Sequence, residues 1–169
     1  MQLSGLLPAA LRDRALARAR DLARAGFVES DALDLTAPAS LRPFIVAAVA
    51  GAAEIGGAGK PVLAVTATSR EADDLAEALG CLINPSRVAV FPSWETLPHE
   101  RLSPRSDTVG KRLAVLRRLA HPTPGDEIQV VVAPVRSVLQ PQLKGLGDLE
   151  PVELTTGGGA DLDEVAHRL

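Results

Sequence analysis

The chain has 169 residues, which is enough for one domain with a sizeable core and the start of a second. Its residues are 46% hydrophobic and 23% charged, which excludes the disordered and fibrous classes, and an aromatic content of 2% leaves almost nothing from which to build a stacking platform for single-stranded nucleic acid. The net charge of -3 argues against a surface that binds polyanions throughout, although a local basic patch is compatible with it.

From the N-terminus onward, the hydrophobic pattern alternates between helical and extended periods. Four strands are predicted, at residues 32–37, 61–67, 87–91 and 128–134. Helices are predicted at residues 8–25, 40–54, 69–80, 106–121 and 135–142. The strand at 61–67 is a continuous apolar run, which is typical of a strand covered on both faces. The alternation predicts βαβ units, and hence an α/β fold that is a three-layer sandwich around a parallel sheet.

Local signals predict where several helices begin and end. Gly26 stands where the first helix would stop, Ser69 is expected to cap the helix at 69–80, and Gly80 is expected to end it. In the helix at 106–121, four apolar residues at helical spacing are expected to form the core side: Val109, Leu113, Leu116 and Ala120.

The composition of the sequence changes near Gly145, where glycine becomes frequent. We therefore predict three parts: a helix in residues 1–30, the main α/β domain in residues 31–145, and a further unit in residues 146–169. The last part contains a predicted strand at 149–155, a loop of three glycines and a helix capped by Asp161. Because the helical pattern runs to the last residue, we expect the truncated start of a small domain, with a tail from residue 149 that is only marginally stable.

Cysteine content and hydropathy indicate the compartment. The single cysteine, Cys81, lies among apolar residues and is expected to be a buried, inert thiol in a reducing environment. The longest apolar run, at residues 44–53, is far shorter than the ~20 residues that span a bilayer. The sequence therefore predicts a soluble cytoplasmic protein without a membrane partner.

The stretch EIGGAGKPV partly matches a phosphate loop of the form G-x-x-x-x-G-K-[ST]. Glu54 replaces the first glycine, Pro61 replaces the magnesium-binding Ser or Thr, and the stretch precedes a predicted strand when it should follow one. A flexible helix-to-strand connection is the favoured interpretation. An enzyme with an irregular phosphate site that uses Lys60 is the alternative.

The topologically correct place for a phosphate loop is after the first predicted strand. Seven residues occupy that position: Thr36, Ala37, Pro38, Ala39, Ser40, Leu41 and Arg42. A phosphate cradle needs glycines, so that backbone N–H groups can converge, and a lysine for the terminal phosphates. This loop has neither, so we predict that the chain binds no nucleotide cofactor.

Motifs for other chemistries are incomplete. The run HERLS at residues 99–103 fails the H-E-x-x-H zinc pattern, because Ser103 stands where the second histidine should be. No G-x-S-x-G elbow is present, and one cysteine is too few for the zinc site of a nucleobase deaminase. The sequence therefore predicts no catalytic residues and no metal site.

One long pattern resembles a known family. The stretch PSWETLPHERLSPRSDTVGKRLAVLRRL, preceded by GKPVLAVTATSREADDLAEAL and followed by VVVAPVRSVLQPQ, resembles the N-terminal region of bacterial transcription-repair coupling factors of the actinobacterial type. The resemblance runs from about residue 33 to the end. The same region is similar to the excision-repair helicase subunit UvrB, whose phosphate loop corresponds to the degenerate loop ending at Arg42.

The resemblance implies a degenerate RecA/helicase-like sandwich at residues 31–145 that serves for binding, followed at 146–169 by the truncated start of a small UvrA-binding domain. It implies a family that displaces RNA polymerase stalled at DNA damage and recruits the damage sensor UvrA. ATP and Mg²⁺ would serve motor domains outside this chain. The polymerase, the DNA and most of the UvrA interface would likewise be contacted by parts of the protein outside these 169 residues.

The polar stretch from Phe91 to Arg112 corresponds to the excursion that carries a DNA-clamping hairpin in UvrB. Three prolines, at 92, 98 and 104, stiffen it. We favour a structural cover in which Trp94 and Leu97 pack down, with local ion pairs made by Glu95, His99, Glu100 and Arg101. The alternative is contact with DNA or another domain, or a stand-alone nucleic-acid-binding module, through the residues Trp94, His99, Arg101, Arg105, Lys111 and Arg112.

Overall fold

The computed structural model describes residues 3, 5–26, 32–96, 103–152 and 154–168. Its helices are α1 Leu6–Ala10, α2 Arg14–Ala25, α3 Arg42–Ala50, α4 Ser69–Leu82, α5 Ser106–Ala120, α6 Val135–Leu139 and α7 Leu162–Arg168. Its strands are β1 Val62–Thr66, β2 Val88–Val90 and β3 Val130–Pro134. Short 3-10 turns lie at Ala39–Leu41, Ala53–Ile55, Pro85–Arg87 and Leu146–Asp148.

The three strands form one parallel sheet in the order β1-β3-β2. The register places Leu63 of β1 beside Val131 of β3, and Ala89 of β2 on the other side of Val131. Helices lie on both sides of the sheet. The predicted fold class is confirmed: the chain is an α/β sandwich with a parallel sheet, consistent with a RecA-like domain.

The core lies on the face of the sheet that α3 and α4 cover. Small and aliphatic side chains meet there: Ala47, Ala48 and Ala50 of α3, Ala72, Leu79 and Leu82 of α4, and Ala64, Val130 and Val132 of the sheet. Alanine on both helices lets them approach the sheet closely, which suits a chain with so few aromatic residues. Leu7 of α1 closes the core from the N-terminal side.

The predicted helices exist, but several of their ends differ. The helix expected at 8–25 is two helices, because the Asp13 carboxylate accepts hydrogen bonds from the N–H groups of Ala15 and Leu16 at 2.9 and 3.1 Å and so starts α2 afresh. The cap of α4 is Thr68, not Ser69. Gly80 does not end α4, because buried Leu82 continues the helix into the core.

The connection from α3 to β1 is tightly bonded, where the sequence predicted a flexible segment. α3 ends at Ala50, with Gly51 as its C-cap, instead of reaching residue 54. A Cβ on Gly57 would lie 2.0 Å from the Gly51 carbonyl oxygen, so only glycine permits this approach. The Arg24 guanidinium of α2 donates to the Gly57 carbonyl at 2.7 Å and fixes the turn from outside.

Two predicted strands are wrong. Residues 32–37 and the described part of residues 149–155 are not strands. A strand exists only with a hydrogen-bonded neighbour, and the described sheet pairs β1, β2 and β3 with one another alone. By contrast, the predicted cap of the last helix is confirmed, since the Asp161 carboxylate accepts from the N–H groups of Asp163 and Glu164.

The expectation that the strand at 61–67 is covered on both faces is also wrong. Leu63 and Val65 of β1 are 57% and 50% exposed, on the face opposite α3 and α4. Cys81 is half-buried, where a buried thiol was expected. None of the helices within the described ranges is long and apolar enough to span a bilayer.

Candidate functional site

A crevice of about 510 Å³ lies at the carboxyl end of β1, between the start of α3 and α4. Arg42 and Val46 of α3, Thr66 at the end of β1, and Glu71 and Leu75 of α4 line it. Ligands of parallel α/β sheets bind at the carboxyl ends of the strands, so this crevice is where a nucleotide would be expected. We call it the strand-end crevice.

The backbone beside the strand-end crevice has few N–H groups to offer a phosphate. Pro38 and Pro43 flank the loop, and neither has a backbone N–H group. The N–H of Leu41 donates to the Pro38 carbonyl at 3.0 Å, and that of Arg42 donates to the Ala39 carbonyl. Phosphate loops work because several free amides converge on the anion, and two of the four amides between the two prolines are already used within the loop.

The charges in the crevice are also unsuited to a triphosphate. Arg42 is exposed, and the carboxylate of Glu71 lies on the opposite wall, where it accepts a hydrogen bond from the N–H of Ala67 at 3.1 Å. Among the described residues that line the crevice the charged ones are Arg42 and Glu71, so the negative charge of Glu71 offsets the positive charge that a triphosphate would need.

Lys60 does not approach the strand-end crevice. It precedes β1, and its N–H donates to the Val49 carbonyl at 3.0 Å. Six residues of extended chain, about 20 Å, separate it from Thr66 at the other end of the strand. The irregular phosphate site that would use Lys60 therefore has no support in the geometry.

The polar stretch that begins at Phe91 is built around Arg112. The Arg112 side chain is 1% exposed, and its Cζ lies 4.1 Å from the centroid of the Phe91 ring and 4.3 Å from that of the Trp94 ring. One guanidinium nitrogen donates to the Pro92 carbonyl and to Ser137 Oγ. Burial lowers the pKa of Arg112. Arg112 therefore holds the stretch against α6 from inside.

Other side chains fasten the backbone of the same stretch. The Trp94 N–H donates to Gln140 Oε1 at 2.7 Å, and Gln140 Nε2 donates back to the Trp94 carbonyl at 3.2 Å. The Thr108 hydroxyl donates to the Glu95 carboxylate. Ser137 Oγ donates to the Pro92 carbonyl at 3.1 Å. Residues 91–95 thus form a cover over α5 and α6.

The predicted contact residues have different surroundings. Arg112 has no exposed surface to present to DNA, which corrects its proposed role. Arg105 and Lys111 are exposed, and an Arg105 nitrogen lies 4.0 Å from an Asp107 carboxylate oxygen. Trp94 is half-buried. Two further candidates, His99 and Arg101, lie outside the described residues, as does Leu97.

The sequence did not single out Ser137, Gln140 or Thr108 as partners of this stretch, and Glu95 bonds a hydroxyl where an ion pair was expected. A signal for Gln140 exists in retrospect, because it is a polar residue at the end of α6, the short helix that directly follows the apolar strand β3. Such a residue is placed to bond whatever chain crosses the strand ends.

Several other arginines donate hydrogen bonds to backbone carbonyls of loops and therefore stabilise the fold. Arg117 donates to Leu149 O at 2.8 Å, and Arg87 donates to Gly125 O at 3.0 Å. Arg118 donates to the Asp126 carbonyl at 3.1 Å. These contacts tie loops to α5 and to the 3-10 turn before β2, so these three arginines serve the fold.

Together these features define a parallel α/β domain, consistent with a RecA-like sandwich, with a crevice at the carboxyl end of β1. Over 142 residues the chain is 51% identical to the transcription-repair-coupling factor of Mycobacterium tuberculosis, and equally to that of Mycobacterium bovis. The match covers 82% of this chain and 11% of each relative. No family model matches the chain. The predicted resemblance to actinobacterial transcription-repair-coupling factors is confirmed.

Proposed function

We propose that this chain acts in transcription-coupled repair as a non-catalytic, UvrB-like module of a transcription-repair-coupling factor. Its role would be to support recruitment of the UvrA excision-repair machinery to RNA polymerase stalled at DNA damage. The 51% identity over 142 residues is the observation that carries the proposal. The chain spans 11% of the length of the relatives, so the activity of the whole protein would depend mainly on residues outside it.

The non-catalytic part of the proposal is supported by the strand-end crevice. Pro38 and Pro43 remove two N–H groups, Leu41 and Arg42 use theirs internally, and Glu71 adds negative charge. These features would leave little binding energy for a triphosphate in the crevice where the fold would place one. ATP and Mg²⁺ would serve motor domains elsewhere in the factor.

Docking is the remaining use for such a domain. The cover formed by residues 91–95 is anchored to α5 and α6, which gives a stiff surface for a neighbouring domain or protein. Arg105 and Lys111 are exposed cations near it and would supply a weak contact with DNA. A stand-alone nucleic-acid module is disfavoured, because Arg112 is buried and Arg105 lies beside Asp107.

A chimera tests the proposal. The matched segment of the M. tuberculosis factor is replaced by this chain, and UvrA-dependent repair of the transcribed strand is measured together with ATP hydrolysis. We expect repair to be retained, and ATP hydrolysis to be unchanged by Arg42→Ala in the inserted chain. Loss of repair in a folded chimera, or loss of ATP hydrolysis on Arg42→Ala, would contradict the proposal.

A further inference from the structure

The guanidinium of Arg112 has two edges that differ in how well they are bonded. Its Nη1 donates to the Pro92 carbonyl and, at 3.2 Å, to Ser137 Oγ. Ser137 Oγ donates in turn to the same carbonyl at 3.1 Å. On the other edge, Nε and Nη2 are buried and have no hydrogen-bond partner among the described residues. A buried donor without an acceptor is destabilising, most of all when the donor carries charge.

The two unbonded nitrogens together form a fork. In arginine, the Nε–H and one N–H of Nη2 point the same way within the guanidinium plane, and their spacing matches the two oxygens of a carboxylate. The rings of Phe91 and Trp94 lie over this plane, with Cζ 4.1 and 4.3 Å from their centroids. A planar carboxylate in the guanidinium plane clears such rings. A tetrahedral phosphate has oxygens on both sides of the plane, so it fits less well.

The described acids do not fill this edge. No carboxylate oxygen within the described ranges lies closer than 4.0 Å to an Arg112 nitrogen. Glu95, the acid of the cover, accepts instead from the hydroxyl of Thr108, one turn before Arg112 on α5. Burial lowers the pKa of Arg112. Since buried charges are ordinarily paired with opposite charges, the edge calls for an anionic acceptor.

We infer that the Nε and Nη2 edge of Arg112 is a carboxylate-binding site, which we call the side-on site. The carboxylate comes either from a separate molecule or from an acidic side chain of this chain. Because Arg112 also bonds the Pro92 carbonyl and stacks on Trp94, a carboxylate that fixes the guanidinium would hold the cover more firmly. The inference is independent of the proposed function, since it rests on the contacts of Arg112 alone.

Nitrogen-15 NMR of the 169-residue chain tests the inference, because the Nε–H of an arginine gives its own correlation peak. Sodium formate, the smallest carboxylate, is titrated beside sodium chloride and sodium phosphate at matched ionic strength. The Arg112 Nε–H peak is expected to shift saturably with formate and not with the other two salts. The peak is assigned by its loss in Arg112→Lys, or by cross-relaxation with the Trp94 indole protons if that variant fails to fold.

Stability gives a second readout of the side-on site. Formate at about ten times its dissociation constant should raise the ratio of folded to unfolded chain about elevenfold. Chemical denaturation followed by tryptophan emission measures this ratio. Arg112→Lys keeps the charge but lacks the fork, so it should lose the gain. Arg117→Lys is the matched control and should keep it, because Arg117 donates to the Leu149 carbonyl at an exposed site.

The two sources of the carboxylate give different results. Besides Glu95, residues 91–105 contain one acid, Glu100, which lies outside the described residues. If Glu100 fills the side-on site, formate leaves the wild-type peak unchanged and shifts it in Glu100→Gln, which supports the inference and identifies the source. No response to formate in either chain would overturn the inference. A shift of equal size with chloride or phosphate would also overturn it, because it would indicate an unspecific anion contact.

Discussion

Arg112 and Trp94 form a stack in which the buried guanidinium carbon lies 4.3 Å from the centroid of the half-buried indole. Phe91 stacks on the same guanidinium at 4.1 Å. Within the described residues, Arg112 Nε and Nη2 have no hydrogen-bond partner. The buried cation is thus stabilised by aromatic faces and the Pro92 carbonyl, where an acid would be usual. This stack makes the start of the polar stretch part of the fold.

Arg112→Ala is expected to lower the free energy of unfolding by about 3 kcal/mol, because it removes a desolvated cation–π contact and leaves the Pro92 carbonyl with one donor fewer. Trp94 is the single tryptophan, so its fluorescence should shift to longer wavelength at the same time. Chemical denaturation followed by tryptophan emission measures both. Lys111→Ala, on the neighbouring exposed residue, should stay within about 0.5 kcal/mol. Equal effects of the two variants would show that the stack is unimportant.

Gln140→Leu is expected to loosen the cover formed by residues 91–95, because its side-chain amide makes both hydrogen bonds to the Trp94 backbone. The free energy of unfolding should fall by about 1 to 2 kcal/mol. Limited proteolysis within residues 91–105 should become faster. Gln142→Leu is the matched control, since the Gln142 side chain donates only to the Gln140 carbonyl at an exposed site. Unchanged cleavage in Gln140→Leu would contradict the anchoring role.

The pair formed by Thr108 and Glu95 predicts a pH dependence. The Thr108 hydroxyl lowers the pKa of Glu95, and backbone N–H groups and Arg105 lower it further. Because the pKa is lower in the folded state, Glu95 stabilises the fold above the ordinary pKa of 4.5, and this contribution is lost as the pH falls through the folded pKa. Thr108→Val should raise the Glu95 pKa in a carboxyl carbon NMR titration, whereas Thr108→Ser should preserve it. An unchanged titration in Thr108→Val would exclude the hydroxyl as the cause.

Local sequence signals predicted the regular elements well because they act over a few residues. The apolar runs gave β1, β2 and β3, and Asp161 capped α7 as expected. The strand predicted at residues 32–37 does not form. Their composition suits a strand, but a strand also needs a partner edge, and sequence spacing alone does not say which edges are available.

The site was less predictable, because its contacts join residues far apart in the chain. Apolar spacing placed Val109 and Leu113 on the core side of α5, whereas the structure buries Arg112 and Val115. The two aromatic rings at 91 and 94 make burial of an arginine favourable there. No periodicity reveals that, since the partners are about 20 residues apart. The degenerate loop ending at Arg42 was visible because prolines act locally on their own N–H groups.

Gly147→Ala is expected to detach the 3-10 turn Leu146–Asp148 from α5. A Cβ on Gly147 would lie 2.9 Å from the Leu116 carbonyl oxygen and 3.0 Å from the Ala120 Cβ. The strain should lower the free energy of unfolding by about 1 to 3 kcal/mol and expose the segment after α5 to protease. Gly159→Ala is the matched control, because no atom lies within 4 Å of its built Cβ. Equal stability of the two variants would contradict the close packing.

Titration of the chain with a fluorescent ATP analogue in the presence of Mg²⁺ tests most directly whether this domain serves for docking and not for nucleotide chemistry. Because two prolines and two internally bonded amides leave few donors beside the strand-end crevice, and Glu71 lines it, we predict no saturable binding up to about 1 mM. This limit corresponds to less than about 4 kcal/mol of binding free energy. Saturable binding in the micromolar range that is lost in Arg42→Ala would contradict that conclusion.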